Sequence, residues 1–182
     1  AILVNMELLD GRLAEAEAKR LGIMKGGVLR IRDIVKDLLV FARNETTGAE
    51  KTDVNILIKK SADILRSQMK MSNVSLRLDL YPKPLIAKVN KNLFQQVMIN
   101  LLQNAKDAID GASRAGTVTV ASTLLPDMRM RILISDDGPG IPEDIIDKIF
   151  DPFFTTKDVG KGTGLGLSVS RKIIEKMGGQ IG

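Results

Sequence analysis

Four short runs of residues, in a fixed order along the chain, have the composition of a binding site for a phosphorylated ligand. They are NLLQNAKDA (100–108), DDGPGIP (136–142), IFDPFFTTK (149–157) and GKGTGLGL (160–167). Paired amides, a carboxylate and mobile glycines can together hold ATP through a metal ion, the adenine ring and the phosphates. The glycines lack the spacing of a Walker sequence, so the predicted ATP site has no P-loop.

The first run contains two asparagines, Asn100 and Asn104, one helical turn apart. Residues four apart lie on the same helix face, so the two carboxamides lie together. Their oxygens suit a hard cation such as Mg²⁺, which takes few protein ligands, and their N–H groups suit phosphate oxygens. Two asparagines on a helix are also ordinary solvated or capping residues, and the pair alone favours that interpretation.

The second run follows a predicted strand and opens into glycines. Gly138 and Gly140 permit tight turns and close approach of a ligand to the backbone. Asp136, if buried, would accept a hydrogen bond from the exocyclic amine of adenine and select ATP over GTP, because guanine presents a carbonyl there. The alternative is an ordinary surface Asp-Gly turn. The apolar strand before Asp136 and Ile141 after it favour an inward-facing carboxylate.

The last run alternates glycines with other residues and leads directly into a predicted helix. The amides at a helix N-terminus and flexible glycines form an anion site. The run does not follow a strand, so it is a poor Rossmann match. A glycine-rich linker is disfavoured because Leu165 and Leu167 are interleaved with the glycines Gly160, Gly162, Gly164 and Gly166.

The third run, with the loop that follows it, is predicted to be part of a lid over the nucleotide. Lys157 or Lys161 is expected to reach a phosphate, although either lysine can equally be a solvated surface residue.

The hydrophobic periodicity places these runs on a mixed α/β framework. Helices are predicted around 55–70, over 93–110 and over 167–177, and alternating or apolar runs predict strands over 74–80, 85–89, 117–123 and 128–135. Helices packed on a mixed sheet make an α+β fold, here a two-layer α/β sandwich.

The first part of the chain has a different pattern. Residues 1–45 are predicted to form a helical hairpin, with the apolar run 2–9 in its first helix, the polar AEAEAKR leading into a turn, and the second helix ending near residue 44. A hairpin buries only one side, so a homodimeric four-helix bundle is favoured over packing on its own globular domain. Residues 46–53 are the predicted linker, and 54–182 the second domain.

Composition excludes several kinds of chemistry. The 182 residues include no histidine and no cysteine, so an imidazole base, a thiolate metal site and disulfides are excluded. The net charge of +5 is spread along the chain, and only five Phe and one Tyr could stack on bases, so nucleic-acid binding is disfavoured. No apolar run is long enough to span a membrane. The chain starts without methionine, so we expect a fragment of a longer protein.

Residues 54–182 resemble the ATP-binding catalytic domain of sensor histidine kinases, within the GHKL superfamily. The runs 100–108, 136–142, 149–157 and 160–167 resemble its N box, first glycine box, F box and second glycine box. The resemblance implies a Bergerat-type fold that binds ATP and Mg²⁺, with Asn104 on the metal, Asn100 near the phosphates and Asp136 on adenine. The nucleotide-binding residues it implies are Asn100, Asn104, Ala108, Asp136, Gly138, Gly140, Ile141, Lys157, Lys161, Gly162, Thr163, Gly164, Leu165, Gly166 and Leu167.

Residues 1–45 resemble, less specifically, the dimerisation hairpin of the same kinases. The family then implies a homodimer, a response-regulator partner and a cytoplasmic location, with or without a membrane anchor elsewhere in the protein. The phospho-accepting histidine is expected upstream of Ala1, and a further strand pair beyond Gly182. Asn100 is the only candidate catalytic residue.

Three other functions within the superfamily stay open. A serine kinase or anti-sigma factor shares the ATP site, although the hairpin favours a histidine kinase. A non-catalytic ATP-binding module would share it too. An ATP hydrolase is less favoured, because hydrolases of this superfamily carry a Glu base where this chain has Asn100, and an amide cannot take a proton.

Overall fold

The computed structural model describes residues 15–42, 48–112, 114–157 and 162–182. The elements are α1 (Glu15–Ala42), β1 (Ala49–Asp53), α2 (Val54–Met71), β2 (Val74–Asp79), β3 (Ile86–Asn90), α3 (Lys91–Gly111), β4 (Gly116–Leu124), β5 (Met130–Asp136), a 3-10 helix (Glu143–Lys148) and α4 (Gly166–Lys176). Each helix and strand predicted after residue 54 is present. The last predicted strand starts two residues late because a turn closed by a Met128 N–H to Leu125 C=O hydrogen bond precedes it.

The strands form two sheets, and α2 and α3 pack against them, which confirms the predicted two-layer α/β architecture. In the larger sheet, β4 lies between β2, which is parallel to it, and β5, which is antiparallel. The smaller sheet pairs β1 with β3 in antiparallel register.

Strand β1 corrects the predicted linker. Residues 49–53 lie within the segment 46–53 that the sequence indicated as a connection, yet they pair with β3 from Ala49↔Asn90 to Asp53↔Ile86. The polar composition of this strand is explained by its position, since Glu50 and Lys51 are exposed on a two-stranded sheet.

The β1–β3 pair sets α2 and α3 side by side, because each strand runs directly into a helix. Asp53 caps α2, and its Oδ1 accepts hydrogen bonds from the N–H groups of Asn55 and Leu85, both at 3.0 Å. Asn90 caps α3 in the same way, accepting from Asn92 and Leu93 at 3.1 Å. Such caps typically stabilise a helix by about 1 kcal/mol each.

The helical part of residues 15–42 also differs from expectation. The turn predicted after AEAEAKR is wrong, because α1 continues from Glu15 to Ala42 without interruption. Residues 15–20 are mostly strong helix formers, and Gly22, Gly26 and Gly27 each cost only about 1 kcal/mol relative to Ala, which is too little to end so long a helix. The first helix predicted for the hairpin lies outside the described residues. Helix α1 contacts α4.

The core lies between the helices and the sheets, and its fully buried side chains come from α2, α3 and β4. Representative members are Ile58, Leu102, Ile109, Val118 and Val120, each less than 1% exposed. A smaller apolar cluster joins α3 to α4 through Val97, Leu165, Val169 and Ile173. Helix α3 therefore packs on the sheet on one side and on α4 on another.

Candidate functional site

The loop after β5 is folded by its own carboxylates. Asp136 Oδ1 accepts a hydrogen bond from the Gly138 N–H at 2.9 Å, and both carboxylate oxygens of Asp137 accept from the Thr117 N–H, at 2.9 and 3.0 Å. Arg114 donates to the backbone carbonyl of Asp137. These contacts close a turn at the point where β5 ends, next to α3.

The prediction of an inward-facing Asp136 is wrong for this structure. Asp136 is exposed, and Ile141 is 52% exposed, so neither belongs to the core. The alternation of buried and exposed residues along β5 breaks at its end, where two successive residues are exposed. The carboxylate of Asp136 therefore lies on the surface at the end of β5, where a ligand rather than the protein would cover it.

The glycines of this loop have distinct roles. A Cβ on Gly138 would lie 2.6 Å from Asp136 Oδ1 and 3.2 Å from the Cβ of Ala108, so the loop approaches α3 closely only because residue 138 lacks a side chain. Gly140 has a φ of +79°, a conformation that glycine adopts without strain, and its surroundings are open. The structure thus brings Ala108 and Gly138 together.

Asn100 joins α3 to the start of α4. Its Nδ2 donates to the Oγ of the buried Ser170 at 3.0 Å. A Cβ on Gly166 would lie 2.2 Å from Asn100 Oδ1, so a glycine at the first residue of α4 permits this approach. Ser170 was not among the residues singled out from the sequence, and no spacing signal links residues 70 positions apart.

The N-terminus of α4 has the features of an anion site. The N-cap residue of α4 is Leu165, and among the residues that the structure describes no side chain makes a capping hydrogen bond there. Thr163 Oγ1 accepts instead from the Leu165 N–H at 3.3 Å. Leu165 is buried and Leu167 is half-buried, which anchors the helix start in the protein. The positive end of the helix dipole therefore lies beside Asn100.

The F box and the second glycine box are clamped together near the middle of each run, at Phe153 and Gly164. The Phe153 N–H donates to the Gly164 carbonyl at 2.9 Å, and both residues have positive φ, 69° and 66°. A Cβ on Gly164 would lie 2.3 Å from the carbonyl carbon of Phe153. Further contacts are the Arg171 guanidinium 3.7 Å from the centroid of the Phe150 ring, and the tight approach of Gly162 to Thr155 and Lys157. Phe153 and Gly164, which flank the segment 154–163, therefore lie together. Gly160 and Lys161 lie outside the described residues.

Lys157 extends from this segment to α3. Its Nζ lies 2.6 Å from Asp107 Oδ2 and 3.3 Å from Asn104 Oδ1. The sequence predicted that Lys157 takes part in the site, whereas Asp107 had no assigned role. The signal that could have found it is its spacing, since residues 104 and 107 are three apart on one helix.

The donor set fits a hard divalent cation. The Asn104 carboxamide oxygen already faces a positive group, the Lys157 ammonium, and oxygen donors are what Mg²⁺ requires. Within the described part of the chain there is no group of three or more His, Cys, Asp or Glu side chains that could hold a metal alone. Phosphate oxygens and water would therefore complete the coordination of a metal at Asn104.

Comparison with known proteins gives a consistent result. The family model described as histidine kinase-, DNA gyrase B- and HSP90-like ATPase matches residues 89–182, more than half of the chain. Sporulation kinase E of Bacillus subtilis is 33% identical over 177 residues, which are 97% of this chain and 23% of that protein. Sensor protein FixL of Bradyrhizobium diazoefficiens is 33% identical over 153 residues, 84% of this chain and 30% of that protein. The chain thus spans less than a third of the length of these curated relatives.

Solved structures show the same similarity. The catalytic domain of histidine kinase ThkA is 35% identical, with a TM-score of 0.59 over 69% of this chain and 80% of that one. The structure of ThkA in complex with the response regulator protein TrrA is 28% identical, with a TM-score of 0.72 over 98% of this chain and 49% of that one. Among the described residues, no helix is both long and apolar enough to cross a membrane.

Proposed function

The chain belongs to the family of histidine kinase-, DNA gyrase B- and HSP90-like ATPases, and from that premise we propose that it is the ATP-binding kinase part of a sensor histidine kinase. The proposed reaction transfers the γ-phosphoryl group of Mg-ATP to a histidine outside this chain, for relay to an aspartate of a response regulator. The observation that carries the proposal is that both glycine boxes and the F box contact the N box, which lies on α3. Residue 100 of the N box carries an amide side chain.

In this proposal, α3 and α4 bind the triphosphate between them. The first-turn amides of α4 and the backbone N–H groups of Gly162, Gly164 and Gly166 donate hydrogen bonds to the phosphate oxygens, and Lys157 neutralises part of their charge. Asn104 holds Mg²⁺, which when bound supplies charge neutralisation at the phosphate oxygens. Asn100, held by Ser170 beside the α4 N-terminus, lies close to the same phosphates.

Adenine is proposed to bind at the end of β5. One oxygen of Asp136 accepts from the Gly138 N–H, and the carboxylate has a second oxygen that can accept from the adenine amine. Ala108, Gly138, Gly140 and Ile141 are proposed to surround the ring, and the exposed Ile141 offers an apolar surface for it. Thr163, Leu165 and Leu167 support the phosphate side, and Lys161 is proposed to act with Lys157.

Positioning and charge neutralisation account for the chemistry of this site, because phosphoryl transfer needs little covalent participation from the protein. Asn100 disfavours hydrolysis, since a carboxamide cannot act as a general base toward water. The acceptor histidine supplies the nucleophile, so the chain itself binds, orients and shields the nucleotide.

Residues 1–45 are proposed to form the homodimer interface. Several apolar side chains on α1 are exposed in the single chain, among them Ile23 at 70%, Met24 at 62% and Ile31 at 63%. A second copy of the helical segment would cover such a face. A response-regulator receiver domain is the proposed partner for phosphotransfer, and a cytoplasmic location is proposed for this part of the protein.

The test is incubation of the full-length protein that contains this chain with γ-labelled Mg-ATP. Label that remains on the protein, is lost in acid and survives alkali identifies phosphohistidine and supports the proposal. Acid-stable label would indicate the serine-kinase alternative. Free phosphate without labelled protein would indicate a hydrolase, and ATP binding without either product would indicate a non-catalytic module.

A further inference from the structure

The lysine of the F box occupies a position built for a cation. Lys157 Nζ lies between two oxygens of α3, Asp107 Oδ2 at 2.6 Å and Asn104 Oδ1 at 3.3 Å. The side chains of Lys157 and Asp107 are 33% and 31% exposed, so the pair is partly shielded from water. The ammonium thus contacts two oxygens on the same face of α3 that is proposed to bind the metal.

The neighbours of Asp107 orient its carboxylate toward this position. Gln103 Nε2 donates to Oδ1 at 2.8 Å, which leaves Oδ2 to face Lys157. Lys106 approaches Oδ1 only to 3.8 Å and pairs more closely with Asp110, at 2.9 Å. Lys157 is therefore the main cationic partner of Asp107. The same lysine is proposed to neutralise the phosphates when the nucleotide is bound.

We infer that Asp107 is a second oxygen donor of the divalent-cation site, and that the Lys157 ammonium holds the place of the cation in the nucleotide-free protein. The inference rests on the proposed function, because it takes Asn104 as the first donor. Carboxylate oxygen is the preferred protein ligand of Mg²⁺, whereas an amide oxygen is uncharged and weaker. Two cations so close repel each other, so arrival of Mg-ATP displaces Lys157 from Asp107 toward the phosphates.

In this inference Lys157 has a different partner in the nucleotide-free and the nucleotide-bound site. Without nucleotide, Lys157 neutralises Asp107 and keeps the segment 154–157 against α3. With Mg-ATP, the metal neutralises Asp107 and Lys157 neutralises the phosphates. Asp107 has a cationic partner in both states, so neither state leaves this partly buried carboxylate without a cation.

The experiment measures the dissociation constant of ATP by calorimetry, once with excess EDTA and once with saturating Mg²⁺, on the full chain. The ratio of the two constants is the magnesium gain. In Asp107→Asn, the gain is expected to fall about tenfold or more, the usual cost of weakening a metal's ligand support. Metal-free ATP is expected to bind more tightly, because a negative charge near the phosphates is removed. An unchanged magnesium gain would overturn the inference.

Asp110→Asn is the matched control, since Asp110 lies on the same helix and pairs with a lysine, but is bonded to Lys106 and Ser72 away from Lys157. Its magnesium gain is expected to equal that of the native chain. An equal fall in both variants would show a general charge effect of α3 and overturn the inference.

Two further variants separate the inference from the proposed function. Lys157→Met is expected to keep or raise the magnesium gain, because the competing ammonium is gone; loss of the gain would overturn the inference. Asn104→Ala is expected to lose the gain. If Asn104→Ala keeps it, the proposed metal site is wrong; if Asn104→Ala loses it and Asp107→Asn keeps it, only the present inference fails. Thermal melts of each variant show that it is folded.

Discussion

The two sides of α3 are built in different ways. Toward the sheets it presents fully buried apolar residues such as Met98, Leu102 and Ile109, whose neighbours are other apolar side chains. Toward the N-terminus of α4 and the segment 154–157 it presents Asn100, Asn104 and Asp107, whose contacts are a few hydrogen bonds, an ion pair with Lys157 and a close approach to Gly166. The first side is held by area removed from water, and the second by a few directed contacts.

The difference separates stability from ligand binding. Many weak apolar contacts on the sheet side carry the free energy of folding, and they tolerate little loss of volume. The contacts on the nucleotide side are fewer and partly exposed, so they can exchange partners when a ligand arrives. Mutations on the two sides of one helix are therefore expected to affect different measured quantities.

The largest expected effect is on the sheet side. Leu102→Ala leaves a cavity in a fully buried position and is expected to lower the free energy of unfolding by about 2–5 kcal/mol. Urea unfolding followed by circular dichroism measures this loss. The dissociation constant of ATP for the folded protein is expected to stay within about twofold, well under the roughly 1.4 kcal/mol that a tenfold change represents. A large loss of ATP affinity with little loss of stability would reverse the distinction between the two sides.

The second effect concerns the clamp between the F box and the second glycine box. Gly164→Ala places a Cβ against the Phe153 backbone at a residue with φ of 66°, so the backbone must shift. We expect ATP affinity to fall about tenfold, roughly 1.4 kcal/mol, because the α4 N-terminus and the F box are displaced together. Calorimetric titration with Mg-ATP measures the change.

Gly178→Ala is the matched control for that variant. Gly178 has a similar φ of 77° but nothing within 4 Å of an added Cβ, and it lies beyond the end of α4. It carries the same backbone strain without the clash, so stability is expected to fall and ATP affinity to stay unchanged. Equal losses of affinity in both variants would show that strain alone, and not the Phe153 contact, matters.

The smallest expected effect is electrostatic. Hydrogen bonds from Lys106 and then Ser72 hold the pKa of Asp110 below its ordinary value of 3.8. A carboxyl with a lowered folded-state pKa stabilises the protein above its unfolded-state pKa, and this contribution is lost as the pH falls through the folded-state pKa. Asp110→Asn is therefore expected to be slightly less stable than the native chain at pH 7, and the difference is expected to shrink as the pH falls below the ordinary value of 3.8. Urea unfolding of both proteins across this range measures it; a difference that persists in acid would exclude the ion pair as its cause.

Much of the fold could be predicted because its pattern is local. The alternation in β2 and the helical periodicity of α3 follow from which residues must leave water, and each is contained in one stretch of sequence. The failures have equally local reasons. Strand β1 is polar because its sheet has only two strands. Helix α1 continues past residue 20 because residues 15–20 are helix formers and the glycines after them cost too little to end it.

The candidate site residues could be singled out from the sequence, but the contacts between them could not. The glycines and the two asparagines stood out by type and spacing, whereas Ser170 and Arg171 did not. The exposed position of Asp136 could not be predicted either. An apolar strand before a turn indicates that the next residue is buried, and the sequence does not show that β5 ends at the surface.

The sequence by itself determined which residues have the chemistry of a nucleotide site, their order along the chain and the helices and strands that carry them. Only the tertiary structure decided that Gly166 meets Asn100, that Phe153 meets Gly164, and that Lys157 lies between Asn104 and Asp107. The physical reason is distance along the chain. Propensity and periodicity act between neighbours in sequence, whereas these contacts join segments that meet only once α3 has packed between the sheet and α4.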